Sequence, residues 1–257
     1  MQALIDGASN LGIKLSHAQL TQYQTYYDDL ADWNSRMNLT AITDYREVQI
    51  KHFVDSISVV LALPELTLGA CGVIDVGTGG GFPGIPLKIA FPQMRLTLLE
   101  ATGKKSEFLR HVVQRLALDN VDVMCSRSED AAHLPEYREQ FDVAVTRGLA
   151  KMATLCELTI PFCKVGGKLI AQKKGDIIDE LESAHKAITI LGGQKAQIIP
   201  IAVPELNDQR CLIVVNKSSS TPAQYPRRSG TPAKKPLGKL ELVTKPRGNY
   251  IIKQNTP

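Results

Sequence analysis

The stretch Val73-Ile74-Asp75-Val76-Gly77-Thr78-Gly79-Gly80-Gly81-Phe82-Pro83-Gly84 decides how the rest of the chain reads. Its first four residues have the composition of a buried strand, and they run straight into a glycine-dense turn. A helix-like run, Pro86 to Ala90, follows at once. Strand, glycine turn and helix in that order present backbone N–H groups to a nucleotide-type ligand. A second strand, Arg95 to Leu99, ends on Glu100, sixteen residues after Gly84. An acid at that tip is where a ribose hydroxyl pair is held.

Outward from this unit the pattern keeps alternating. Helix-like runs cover 84–90, 105–116 and 176–191, and strands cover 121–125, 141–146 and 168–172. This predicts an α/β fold with a mostly parallel sheet covered on both faces. The finish, 197–201 and then 211–215, is two strands with no helix between them, so the sheet ends in an antiparallel pair. Upstream, Ser16 and Gln19 form a capping box with Leu15 and Leu20 as a staple, opening a helix that carries Leu20, Tyr23, Tyr27 and Leu30 on one face. Its Trp33 reads as core packing. A second helix starts at Asp44 and runs to Pro64. These two helices form an N-terminal helical cap, residues 1–64, on a main domain spanning 65–217. His52 and Asp55, three apart on the second helix, read as a surface or capping pair.

The net charge of +4 is unevenly spread. From residue 216 onward there are nine Lys/Arg and one acid, Glu241, whereas residues 1–215 carry a net −4. A basic segment of this kind suits a polyanionic partner. Its prolines (226, 232, 236, 246) and charge predict a flexible tail over 218–257 without regular structure, acting on that partner and not on a small ligand. No apolar run is long enough to span a bilayer and no secretory signal opens the chain, so a cytoplasmic protein with no membrane contact is expected. Five cysteines without a C-x-x-C pair read as buried thiols, and no metal is expected.

Gly79-x-Gly81-x-x-Gly84 formally matches the dinucleotide fingerprint, but Pro83 stands where that fold needs free helix N–H groups. The order Asp75-Val-Gly77-Thr-Gly79 instead resembles the first motif of S-adenosylmethionine-dependent methyltransferases, whose cofactor has no phosphate. In that superfamily the loop backbone meets the amino-acid end, Glu100 the ribose, and an acid after the third strand, here Glu129 in Ser126-Arg127-Ser128-Glu129, the adenine amino group. At the end of the fourth strand stands Arg147, with neither an Asn-Pro-Pro-Tyr motif nor a Pro-Cys nucleophile. A ring-nitrogen acceptor suits this lack of machinery: guanine N7 has an in-plane lone pair and no proton to remove, leaving alignment and electrostatics to do the catalysis. Cations cluster at the same sheet edge, among them Arg36, Lys104, Lys105, Arg127, Lys173 and Lys174.

With these residues assembled, the chain resembles the bacterial 16S rRNA (guanine-N7) methyltransferase family known as RsmG or GidB. The matching stretches are Trp33-Asn34 through Asn38-Leu39-Thr40, His52-Phe-Val-Asp-Ser56, Asp75 through Leu87, Lys104-Lys105, Ser126-Arg127, Arg147, and Gly166-Gly167 through Lys174-Gly175. Tyr225-Pro-Arg-Arg228-x-Gly230-x-Pro232 also looks like the family's C-terminal segment. The resemblance implies a Rossmann-like class I methyltransferase and S-adenosyl-L-methionine held by Gly77, Gly79, Phe82, Glu100, Ala101, Thr102, Ser128, Glu129 and Arg147. It implies methyl transfer to N7 of a guanine in the decoding region of 16S rRNA, on free RNA, the 30S subunit or a precursor. Arg147 is the candidate for acceptor-site electrostatics. Arg36, Lys104, Lys105, Arg127, Lys173, Lys174, Arg227 and Arg228 are the expected RNA contacts. Gly148-Leu149-Ala150-Lys151 departs from the family pattern, where many members carry Ala and a later Pro. Three rivals remain open: a small-molecule methyltransferase, which wants a lidded apolar site; a non-catalytic RNA-binding or ribosome-assembly factor, which would not need the cofactor residues; and a dehydrogenase, which Pro83 disfavours.

Overall fold

The computed structural model describes residues 1–63, 71–206 and 208–238, and the backbone of two further strands at 241–244 and 250–253. The N-terminal layer contains α1 (Gln2–Asn10), α2 (His17–Met37), α3 (Tyr45–Val48) and α4 (Asp55–Ile57). The expected capping box is present: Ser16 N–H donates to Gln19 Oε1 at 2.8 Å and Gln19 N–H donates to Ser16 Oγ at 3.3 Å. The helix starting at Asp44 is also capped as expected, by its carboxylate accepting from Glu47 N–H. It is not uniform, however. A π-helical stretch, Gln49–Val54, separates α3 from α4, and a 3-10 turn, Ser58–Ala62, closes the run.

α1 was not foreseen. It has no side-chain cap and only Leu4, Gly7 and Ala8 are buried. What fixes it is a close approach: a Cβ on Gly7 would lie 2.5 Å from Val54 Cγ2. Packing of this kind leaves no periodic signal in nine residues.

The main domain alternates as expected: β1 (Gly72–Val76), α5 (Gly84–Ala90), β2 (Arg95–Glu100), α6 (Gly103–Arg115), β3 (Val121–Cys125), α7 (Ser128–Ala131), β4 (Phe141–Arg147), α8 (Met152–Thr159), β5 (Cys163–Lys174), α9 (Ile178–Ile190), β6 (Gln197–Pro200) and β7 (Arg210–Asn216). The seven strands lie in the order β3-β2-β1-β4-β5-β7-β6. β1 to β5 pair in parallel, and β7 runs antiparallel to both β5 and β6.

Strand alternation builds two cores. Val73, Leu96, Leu98, Val143, Val145 and Ile170 face α2, α5 and α6 on one side. Ile74, Val76, Leu99, Ala144, Leu169 and Ala171 face α8 and α9 on the other. Both faces are covered, which is why the strands read as apolar runs. The order in which successive strands are added reverses between β1 and β4, so the crevice for a ligand opens at the C-terminal ends of these two parallel strands.

The tail expectation needs correction. Within 218–238 the chain packs on the domain: Tyr225, Pro232 and Leu237 are buried, and Thr231–Lys234 form a short helix, α10. Farther on, β8 (Glu241–Thr244) and β9 (Tyr250–Lys253) pair antiparallel. Proline and charge argued against a free-standing fold, but the segment borrows its order from the domain surface. Among the described residues no helix is long and apolar enough to cross a membrane.

Candidate active site

Asp75, near the end of β1, organises the glycine loop. Its Oδ2 accepts from the Thr78 hydroxyl at 2.5 Å and from Gly84 N–H at 2.8 Å. Burial pushes its carboxyl up to about 7, against the pull of those two bonds. Oδ1 is buried and meets no hydrogen-bond partner among the described residues. Pro83 stands at the N-cap of α5, and the Gly84 N–H is taken by Asp75. A phosphate therefore finds no free donor at this helix start.

The loop's outer rim is tied to β2. Gly77 N–H donates to Leu99 O, and Gly79 N–H to Glu100 Oε2 at 3.0 Å. Glu100 Oε1 accepts from Thr102 N–H at 2.8 Å. Each carboxylate oxygen keeps a second lone pair, so the side chain that fastens the loop can still accept from a ribose diol. Ala101 and Thr102 stand exposed at this tip. A Cβ on Gly81 would collide with Ile85 Cδ1 at 2.5 Å, whereas one on Gly79 would meet nothing within 4 Å. The first glycine serves packing. The second borders open space beside Glu100, which fits a bound nucleoside.

On the loop's other side Phe82 is 5% exposed. The His52 ring stacks on it at 4.4 Å, and the Arg147 guanidinium lies 4.8 Å from its centroid. Arg147 ends β4 and reaches back to the N-terminal layer, donating to Lys51 O at 3.1 Å, Asp55 Oδ2 at 2.9 Å and His52 Nδ1 at 3.1 Å. Asp55 also holds Arg210 at 2.7 Å. Burial first, and then the Arg147 charge, lower the His52 imidazole to about 3. It is neutral. Arg147 can only donate, so Nδ1 is the acceptor and Nε2–H donates to Thr40 Oγ1 at 2.7 Å.

Here the expectation of a surface or capping pair fails: His52 and Asp55 are 7% and 1% exposed. The π-helical stretch ends next to Asp55, at the place where the cap enters the site. A signal existed, since an acid inside the apolar run Phe53-Val54-Asp55-Ser56-Ile57 has to find a buried cation. Arg210, Tyr26 (whose hydroxyl donates to Gly80 O) and Gly230 were also missed, because their contacts span long stretches of chain.

The adenine-side residues are placed differently from each other. Ser128 donates its hydroxyl to Leu158 O, and Glu129 is buried with Oε1 accepting from Gly230 N–H at 2.9 Å. The expected RNA contacts also divide. Lys104, Arg127 and Arg228 are exposed and Lys105 half-buried. Arg36 is exposed, pairs with Asp32 and lies over Trp33 at 5.5 Å; Lys174 is exposed beside Asp208. Lys173 and Arg227 are turned inward. Lys173 bonds Glu180 and Ala150 O, and Arg227 grips the fully buried Glu157. Both do structural work that their position in sequence hid. Cys156 and Cys163 lie in the core, their thiols pushed up to about 12 by burial.

The CurJ carbon methyltransferase shares this fold, at 12% identity and a TM-score of 0.50 over 64% of this chain and 54% of that one. This likeness is one of fold: a Rossmann-like, mostly parallel sheet that ends in an antiparallel strand pair. The family profile described as rRNA small subunit methyltransferase G matches residues 19–209. A ribosomal RNA small subunit methyltransferase G of Dehalococcoides mccartyi (strain CBDB1) is 51% identical over 237 residues, 92% of this chain and all of that one. The protein of that name from Acetivibrio thermocellus is 43% identical over 91% of this chain and 95% of its own. The chain belongs to the rRNA small subunit methyltransferase G family, GidB.

Proposed function

We propose that this protein transfers the methyl group of S-adenosylmethionine to N7 of a guanine in the decoding region of 16S rRNA. One observation carries the choice of acceptor. Among the described residues the rim at Arg147 holds no available base: Asp55 is taken up by both Arg147 and Arg210, and His52 is neutral with both ring nitrogens engaged. Asp75, among the described residues the one carboxyl raised towards 7, is fully buried beneath the loop. Methylation of an amine or a hydroxyl sheds a proton and is helped by a base. N7 of guanine sheds none, so positioning suffices.

The cofactor supplies an electrophilic methyl on a cationic sulfur. Glu100 would accept from its ribose hydroxyls and Glu129 from its adenine amine, while the loop from Gly77 to Gly79 would meet its amino-acid end. Phe82 and His52 give a flat wall. Arg147 keeps one Nη2 proton and its Nε proton without a partner among the described residues, and these suit the guanine O6 beside N7. Because Asp55 and Asp208 together balance Arg147 and Arg210, that cation does not drive off the cationic sulfur.

The test is small-subunit particles reconstituted with rRNA carrying 7-deazaguanine in place of guanine, from which N7 is missing. Binding should persist and methyl transfer should vanish. Transfer at the rate seen with ordinary rRNA would show that N7 is not the acceptor.

A further inference from the structure

α7 has four residues and no side-chain N-cap, too short to hold itself in place. It nevertheless carries Ser128 and Glu129 at the end of β3, so tertiary bonds must set its position. They form a closed circuit. The Ser128 hydroxyl donates to Leu158 O, in α8. In the same helix the fully buried Glu157 takes three bonds from one residue of the C-terminal segment: Arg227 N–H and Nε to Oε1, both at 2.8 Å, and Arg227 Nη2 to Oε2 at 2.7 Å. The Thr154 hydroxyl donates to Pro232 O at 3.0 Å. From between those anchors Gly230, at φ +81° as only glycine adopts readily, sends its N–H back to Glu129 Oε1 at 2.9 Å. Among the described residues Oε1 is the only oxygen of Glu129 engaged, which leaves Oε2 to accept from a ligand.

The rest of the segment is held as firmly. Arg138 reaches Thr221 O and Tyr225 O at 2.8 Å, and His133 lies 2.8 Å from Pro226 O. A buried carboxylate cannot be left unpaired without large cost, so Glu157 ties this stretch to the body of the enzyme.

We propose that Tyr225–Pro232 is a strap that completes the cofactor site: through Arg227 and Gly230 it positions Glu129 for the exocyclic amine of the adenine. The inference rests on the assignment of Glu129 to that amine. It also reverses the sequence expectation that the C-terminal segment serves the polyanion alone. Arg227 and Gly230 are positioning residues here, since they act through Glu129 and touch neither donor nor acceptor.

The test is calorimetry with two ligands, S-adenosylhomocysteine and S-inosylhomocysteine, in which an oxygen replaces the adenine amine. Arg227→Lys keeps a cation opposite Glu157 but loses the two-pronged grip; Gly230→Ala keeps the N–H but strains the turn, with nothing within 4 Å of the added Cβ. Each should weaken S-adenosylhomocysteine about 3- to 10-fold, the scale of one hydrogen bond, and leave S-inosylhomocysteine unchanged. Equal losses for both ligands, or no loss for either, would overturn the strap. Glu129→Ala separates the strap from the assignment it rests on. If it abolishes the preference for adenine while the strap variants do not, the strap alone is wrong. If it leaves the preference intact, the assignment of Glu129 is wrong and the strap inference falls with it.

Discussion

Asp75 shows how one side chain can carry both a fold and a liability. The carboxyl that fastens Thr78 and Gly84 is fully buried, and burial raises it from 3.8 to about 7. The folded state therefore binds a proton that the unfolded chain releases near pH 4. The resulting stability is complete below the unfolded value and is lost as pH rises through about 7. Urea unfolding of the wild type and of Asp75→Asn across pH 4 to 8 should show the wild type losing ground to the variant over that window; parallel curves would deny the shift. Asp75 itself was legible in the sequence because it opens a motif. Its companions were not. Asp55, Arg147 and Arg210 meet from three separate elements, and nothing local in sequence announces that two cations will share one buried acid.

At the scale of elements, the glycine turn is two devices in one. Gly81 is closed in by Ile85 and the Tyr26 hydroxyl, and Gly79 borders open space. Gly81→Ala should cost about 2–4 kcal/mol of unfolding free energy, combining a strained positive φ with overpacking. Gly79→Ala should cost about 1–2 kcal/mol, from strain alone, yet weaken S-adenosylmethionine binding in calorimetry. Undiminished affinity in Gly79→Ala would remove this glycine from the cofactor site. The strands and main helices were readable because period and capping are local. The helix from Asp44 read as one piece, and the π-helical stretch within it was invisible, since it answers to packing against Phe82 and Arg147. The strap was misread for a related reason. Its composition describes what it would do alone, and it is never alone: Glu157, Glu139 and Arg138 on the domain hold it.

For the whole molecule, charge is arranged by depth. Lys173 and Arg227 sit in internal pairs, while Lys104, Arg127 and Arg228 are exposed. Replacing Lys104 or Arg228 with Ala should lower the slope of log affinity for rRNA against log salt by about 0.7–0.9 for each phosphate that is no longer neutralised. Lys173→Ala should leave that slope unchanged. An altered slope in Lys173→Ala, with none in the other two, would put the RNA on a different face.

The central claim, that this chain methylates N7 of a small-subunit rRNA guanine, is tested most directly by identifying the product base. Small-subunit particles from cells lacking the protein are incubated with it and methyl-labelled S-adenosylmethionine, and the rRNA is then hydrolysed to bases. All label should run with 7-methylguanine and map to a single decoding-region position; label on another base, or no label in rRNA while the cofactor binds, would contradict it.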